Sequence, residues 1–129
     1  MEAGKALATI IGATYSGKVH PIQVPQNEDF PFIVYTLISL TPYGTKDGAS
    51  TIDFEYYQVD VFAQTYTEAV TYAATIRGLL DRYAHSVVTG IKLAGVEFLG
   101  YSESIDDDTD VYRISADYKL RVDTTFVAE

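Results

Sequence analysis

Cysteine is absent from the 129 residues, which excludes disulfides, thiolate nucleophiles and cysteine metal sites. A chain without cysteine does not depend on an oxidising compartment for its fold. Tryptophan is absent too, and the only two histidines, His20 and His85, stand far apart with no acidic neighbours at ligand spacing. Neither zinc nor a histidine-based triad is expected from them. Basic residues are scarce: nine Lys and Arg face eighteen Asp and Glu, for a formal charge of −9. Duplex DNA repels such a surface unless its cations cluster, so sequence-specific nucleic-acid binding is not expected. Long apolar runs are missing as well. The longest, such as residues 32–35, fall far short of the roughly 20 residues of a membrane span. Glu2 and Lys5 with no apolar stretch behind them give no secretory signal, so cytosolic synthesis is the expectation.

Hydrophobic residues make up 47% of the chain and aromatics 13%, including eleven tyrosines. That is enough apolar material for one real core, and the length fits a single domain over residues 1–129. Tyrosine is apolar on its ring and wet at its hydroxyl, so this composition also favours amphipathic surfaces.

Along the chain, residues 2–13 place Ala3, Leu7, Ile10 and Ile11 on one helical face, and Gly12 suits the helix end. Gly17, Pro21 and Pro25 then impose an extended or turning segment over residues 15–26. Residues 30–40 read as a strand apolar on both faces, with Phe32, Val34 and Ile38 on one and Ile33, Tyr35 and Leu37 on the other. A long polar connection, residues 41–51, leads to a second strand over 52–63. Its apolar phase switches at Tyr56–Tyr57, from Ile52, Phe54 and Tyr56 to Tyr57, Val59 and Val61. Either a bulge sits there or the first half packs outside this domain's core. Thr65 and Glu68 form a capping box for a helix whose apolar stripe is Ala69, Tyr72, Ala73, Ile76, Leu79, Leu80 and Tyr83. Residues 91–93 and 96–104 read as two strands joined by a tight turn at Ala94-Gly95. Residues 111–123 alternate cleanly, Tyr112 to Val122 apolar against Arg113 to Asp123 polar. The expected fold is α+β, order α-β-β-α-β-β: an antiparallel sheet of about four to five strands with two helices on one face. The face left bare is expected to be covered by another copy of the chain.

No constellation of catalytic residues emerges. Asp106, Asp108 and Asp110 begin like a calcium loop, but the required turn glycine is Val111 and the closing acid is Asp117, so a solvated loop is expected. Gly12-Ala-Thr-Tyr-Ser-Gly-Lys18 spaces its glycines like a phosphate loop, yet Val19 replaces the Mg²⁺-binding hydroxyl, and the segment follows a predicted helix rather than a strand. His20 and His85 are assigned structural places, the latter at a helix C-terminus. Neither enzymatic activity, cofactor nor metal is expected.

Five segments nevertheless stand in a distinctive order: V-H-P-I-Q-V-P-Q, F-P-F-I-V-Y, E-Y-Y-Q-V-D-V-F-A, T-E-A-V-T-Y-A-A-T-I-R-G-L-L, and the acidic turn with D-T-D-V-Y-R-I-S-A-D-Y-K-L. Together they cover roughly residues 19–122 and resemble the tail completion proteins of long-tailed bacteriophages, also called tail terminator or head–tail joining proteins. The resemblance implies a structural virion protein. It implies a hexameric ring of this chain at the head-proximal end of the tail, ending tube growth and joining tail to head. The implied partners are the tail tube protein and a head connector or stopper, with DNA passing through the lumen without specific binding and no membrane involved. The candidate contacts to a neighbouring subunit or the tube are Tyr43, Lys46 and Asp47 of the connection 41–51 and Ile52, Phe54 and Tyr56 of the first half of the strand after it, the phase switch being the motivation. Alternatives are another ring protein of the same neck, a stopper or connector, and a small dimeric ligand-binding α+β domain with a tyrosine-lined pocket.

Overall fold

The computed structural model describes residues 3–22, 29–42, 52–81, 86–88, 91–106 and 110–123, with the backbone alone at 86–88, 91 and 106. Helix α1 (Ala3–Gly12) is followed by strands β1 (Val19–Pro21), β2 (Phe32–Pro42) and β3 (Ile52–Ala63). Helix α2 (Tyr66–Asp81) and strands β4 (Ser86–Val88), β5 (Ile91–Asp106) and β6 (Val111–Asp123) follow. The strands form one sheet in the order β1-β2-β3-β6-β5-β4. The fold is α+β, as expected, with four long strands in antiparallel succession and a short strand at each margin. The expected sheet of four to five antiparallel strands is corrected in two respects. Among the described residues there are six strands, and β1 pairs in parallel with β2, so the sheet is mixed. Pro21 is tolerated in β1 because an edge strand has one side with no ladder to donate to.

Both helices pack on one face of the sheet. The core joins Leu7, Ile10 and Ile11 of α1 and Ala69, Ala73, Ile76 and Leu80 of α2 to Ile33, to Tyr57, Val59 and Val61, and to Ile114, Tyr118 and Leu120. The helix stripes are those the 3.6-residue period selects, and the strand residues are every second one. Alanines at positions 3, 6, 69 and 73 are buried, which lets helix backbone approach the sheet closely. Thr65 caps α2 as the sequence predicts, its Oγ1 accepting the Glu68 N–H at 3.2 Å. Tyr15, beyond the end of α1, stacks on Tyr72 of α2 at 4.1 Å and ties the two helices together. Tyr83 of the predicted stripe, His85 and Pro25 lie outside the described residues.

Two sequence expectations about strands change. The tight turn at Ala94-Gly95 does not exist: β5 runs through it unbroken, and the register against β6 slips between Leu93 and Gly95 and again between Phe98 and Gly100. Glycine gave the turn signal, but in a strand it equally marks a bulge. At Tyr56–Tyr57, β3 itself is regular against β6 from Ile52 to Ala63. The irregularity sits on the neighbouring strand, between Leu37 and Ser39 of β2, opposite the two tyrosines. No bulge interrupts β3 against β6 at the phase switch; the apolar residues of its first half belong to the face turned away from the helices.

Candidate assembly surface

Strand alternation sends odd-numbered β3 residues to the helices and even-numbered ones to the opposite face. Glu55, Tyr57, Val59, Val61 and Ala63 are all buried on the helix side. Ile52, Phe54 and Tyr56 sit on the other side with Gln58, Asp60 and Phe62, each half-buried except for the buried Asp60. Across the ladder they meet Asp123, Arg121, Lys119, Asp117, Ser115 and Arg113 of β6. No helix among the described residues covers this face. It is the surface on which a candidate site must be sought.

Two cation–aromatic clusters dominate it. At one end the Lys119 ammonium lies 4.4 Å from the centre of the Phe54 ring and 5.9 Å from that of Tyr56. At the other end Phe30, Phe32 and Phe62 stack in a row, at 4.9 and 5.1 Å. The Arg113 guanidinium lies 5.7 Å from the Phe62 ring and pairs with Asp60 at 3.2 Å. Asp60 in turn accepts two bonds from the Gln58 amide, at 2.9 and 3.1 Å. A buried carboxylate needs such partners, and here both come from its own face. An open groove lies beside the first cluster, lined by Phe54, Gly95, Val96, Glu97, Lys119 and Arg121. Cations over aromatic faces each contribute about 0.5–1 kcal/mol where exposed, so these clusters hold side chains in place without closing the face.

The predicted interface residues divide. Ile52, Phe54 and Tyr56 come together on the uncovered face, whereas Tyr43, Lys46 and Asp47 lie outside the described residues. Strand alternation alone puts Arg113, Lys119 and Arg121 on one face of β6, but it does not place them over Phe54, Tyr56 and Phe62. The signal that pairs them is the register of β3 with β6.

The remaining motifs are placed as follows. The segment Ser16-Gly17-Lys18 connects α1 to β1, the reverse of the strand-to-helix order that a phosphate loop requires, with Gly17 at φ 77° and the Lys18 ammonium donating to the Asp29 carbonyl at 3.2 Å. Asp110 closes the β5–β6 connection at φ 55°, while Asp107 and Asp108 lie outside the described residues. No group of three potential metal ligands occurs among the described residues.

One polar feature on the helix side escaped the sequence reading. Glu55 is only 2% exposed, and the Tyr57 hydroxyl donates to its Oε1 at 2.7 Å. The same hydroxyl is bonded to the Gly4 backbone at the start of α1. Burial, and then the neighbouring Glu55 carboxylate, push the Tyr57 phenol well above its ordinary value. Continuing the buried phase of Val59 and Tyr57 one step back along β3 would have found Glu55.

The sequence matches the family described as Tail completion protein gp17 over residues 2–123. The chain belongs to the tail completion protein family. It is therefore a structural component of the virion that completes the tail and joins it to the head. A solved chain described as the virion of a native gene transfer agent (GTA) particle shares the fold. It superposes with a TM-score of 0.72 at 19% identity, covering 93% of this chain and 96% of the other. No curated protein matches.

Proposed function

We propose that six copies of this tail completion protein close into a ring at the head-proximal end of the tail, stop tube growth and dock the finished tail onto the head connector or stopper. Membership of the family over nearly the whole chain is the observation that carries this reading. The uncovered, aromatic-rich sheet face supports it, since a face of that kind is normally buried in an assembly. DNA passes through the lumen without specific binding, and a chain of net charge −9 suits that role, because a repelled polyanion slides rather than adheres. The role is structural and requires no catalysis. Ile52, Phe54 and Tyr56, together with Tyr43, Lys46 and Asp47 of the connecting segment, contact the neighbouring subunit or the tube.

Negative-stain electron microscopy of the purified chain, alone and mixed with tail tubes lacking their head-proximal cap, tests the proposal. Rings, or density closing one end of the tube, are expected. Compact monomers or dimers that leave the tubes open would favour a ligand-binding domain instead. Phe54→Asp should abolish the ring and leave a folded monomer. Phe54 faces away from the core, and its loss there removes a cation–π contact of about 0.5–1 kcal/mol rather than a core side chain.

A further inference from the structure

Among the described residues, both margins of the sheet are only partly closed. On one side β1 pairs with Ile33, Val34 and Tyr35 of β2 and no further, leaving residues 36–42 of β2 without a strand neighbour on that side among the described residues. On the other side β4 pairs with Ile91, Lys92 and Leu93 of β5 and no further, leaving the rest of β5 in the same condition. Traced across β3 and β6, Thr36 to Thr41 of β2 stand level with Gly100 to Gly95 of β5, so the open stretches of the two margins overlap along the strands.

Apolar exposure is concentrated at these margins. Eight large hydrophobic side chains are exposed among the described residues, and six of them lie there. Ile22, Ile38 and Leu40 line the β1–β2 side, where Ile38 is 58% exposed, and Leu99, Tyr101 and Ile105 line β5, where Leu99 is 49% exposed. The open stretch of β2, T-L-I-S-L-T-P, carries no charge at all. Soluble proteins guard free edges with lysines, other charges or coverage, and an edge without them is a template for another strand.

We infer that the subunits of the assembly join edge to edge, the open margin of β2 in one copy pairing with the open margin of β5 in the next. This rests on the ring reading above and names the contact that closes it. The occupant is a second copy because the two margins belong to the same sheet, lie on its opposite sides and leave open stretches at the same level along the strands. A contact between two different patches is heterologous, and it propagates around a ring instead of ending at a dimer. Strand direction agrees. From β2 through β3 and β6 to β5 every pairing is antiparallel, so β2 and β5 run in opposite directions. Copies related by rotation about an axis along the strands then bring β5 of one against β2 of the next as an antiparallel pair, the more stable arrangement.

The absence of native cysteine permits a direct test. Ile38→Cys and Leu99→Cys are placed in one chain, and each also alone, all at exposed sites. Each protein is assembled on tail tubes lacking their cap and treated with a short thiol-to-thiol crosslinker. The double variant should give a ladder of covalent multimers on a denaturing gel and each single variant monomers only. In a second measurement, Ile38→Lys with Leu40→Lys, and separately Leu99→Lys, should leave circular dichroism unchanged and abolish capping. Dimers from either single cysteine variant would mean a two-fold contact and overturn the inference. Capped tubes without a ladder, together with lysine variants that cap normally, would overturn edge pairing and leave the ring reading standing. Tubes left open by the unaltered chain would remove the ring reading and this contact with it.

Discussion

Replacing Tyr57 with Phe removes one oxygen from the most polar point of the core. The ring stays, so no cavity forms and the packing term is small. What is lost is the donor that meets the Glu55 carboxylate at 2.7 Å and the link from that hydroxyl to the Gly4 backbone. Hydrogen bonds to charged groups contribute about 1.5–3 kcal/mol. Glu55 is 2% exposed, so water cannot replace the lost donor without opening the start of α1. The expected loss is therefore about 1.5–3 kcal/mol, which for a chain of this size lowers Tm by roughly 5–15 °C. Urea titration followed by circular dichroism measures it. The pair variant Tyr57→Phe with Glu55→Leu separates the two contributions, because it removes the buried carboxylate together with its donor. It should be more stable than Tyr57→Phe alone, since replacing both partners by apolar groups is often near neutral. If Tyr57→Phe costs less than about 0.5 kcal/mol, or if the pair variant is the less stable of the two, the carboxylate does not rely on this hydroxyl and the argument fails.

The remaining expectations concern other tyrosines. The Tyr118 hydroxyl is fully buried with no hydrogen-bond partner among the described residues, so Tyr118→Phe should stabilise the fold by about 1 kcal/mol in the same titration. A loss of stability in that variant would show that the hydroxyl is satisfied. Burial raises the phenols of Tyr57 and Tyr118 above their ordinary value, and burial raises those of Tyr35 and Tyr101 as well. A raised folded-state value means that the unfolded chain releases these protons first. Their contribution is therefore complete below about pH 10 and is lost as pH climbs above it. Ultraviolet titration should show tyrosinate from these residues only with unfolding; ordinary titration within an intact fold would refute the assignment.

Much of the helix side was legible because its signals are local and periodic. Ala3, Leu7, Ile10 and Ile11 fall at helical spacing, Thr65 and Glu68 sit at capping distance, and Ile114 to Val122 alternate, so each element could be read from a short window. The bounds of β3 and β6 coincide with those read from the pattern. The errors have a common origin in pairing, which no short window contains. Whether Ala94-Gly95 turns or bulges depends on whether β6 continues alongside, and it does. The three residues of β1 form a strand only because Ile33, Val34 and Tyr35 lie beside them. Of the candidate surface, Ile52, Phe54 and Tyr56 were found from their phase. Their cationic partners were not, because that needs the register between strands far apart in sequence.

The phase switch in β3 shows how one strand serves two surfaces. Its second half buries Tyr57, Val59 and Val61 under the helices and leaves Gln58 and Asp60 on the opposite face, where Arg113 neutralises Asp60. Its first half inverts this arrangement, with Glu55 under α1 and Phe54 and Tyr56 outside. For folding alone the inversion is unfavourable, since it buries a carboxylate and exposes aromatic area. The hydrogen bond from Tyr57 offsets the first cost inside the chain. Lys119 covers part of the second, but at 4.4 Å over Phe54 it cannot seal two ring faces. The residual apolar surface is left for something outside the described fold. It lies beside the connection between β2 and β3, at the same end of the sheet as the uncharged open edge of β2. An assembly contact there relieves both the bare face and the bare edge at once.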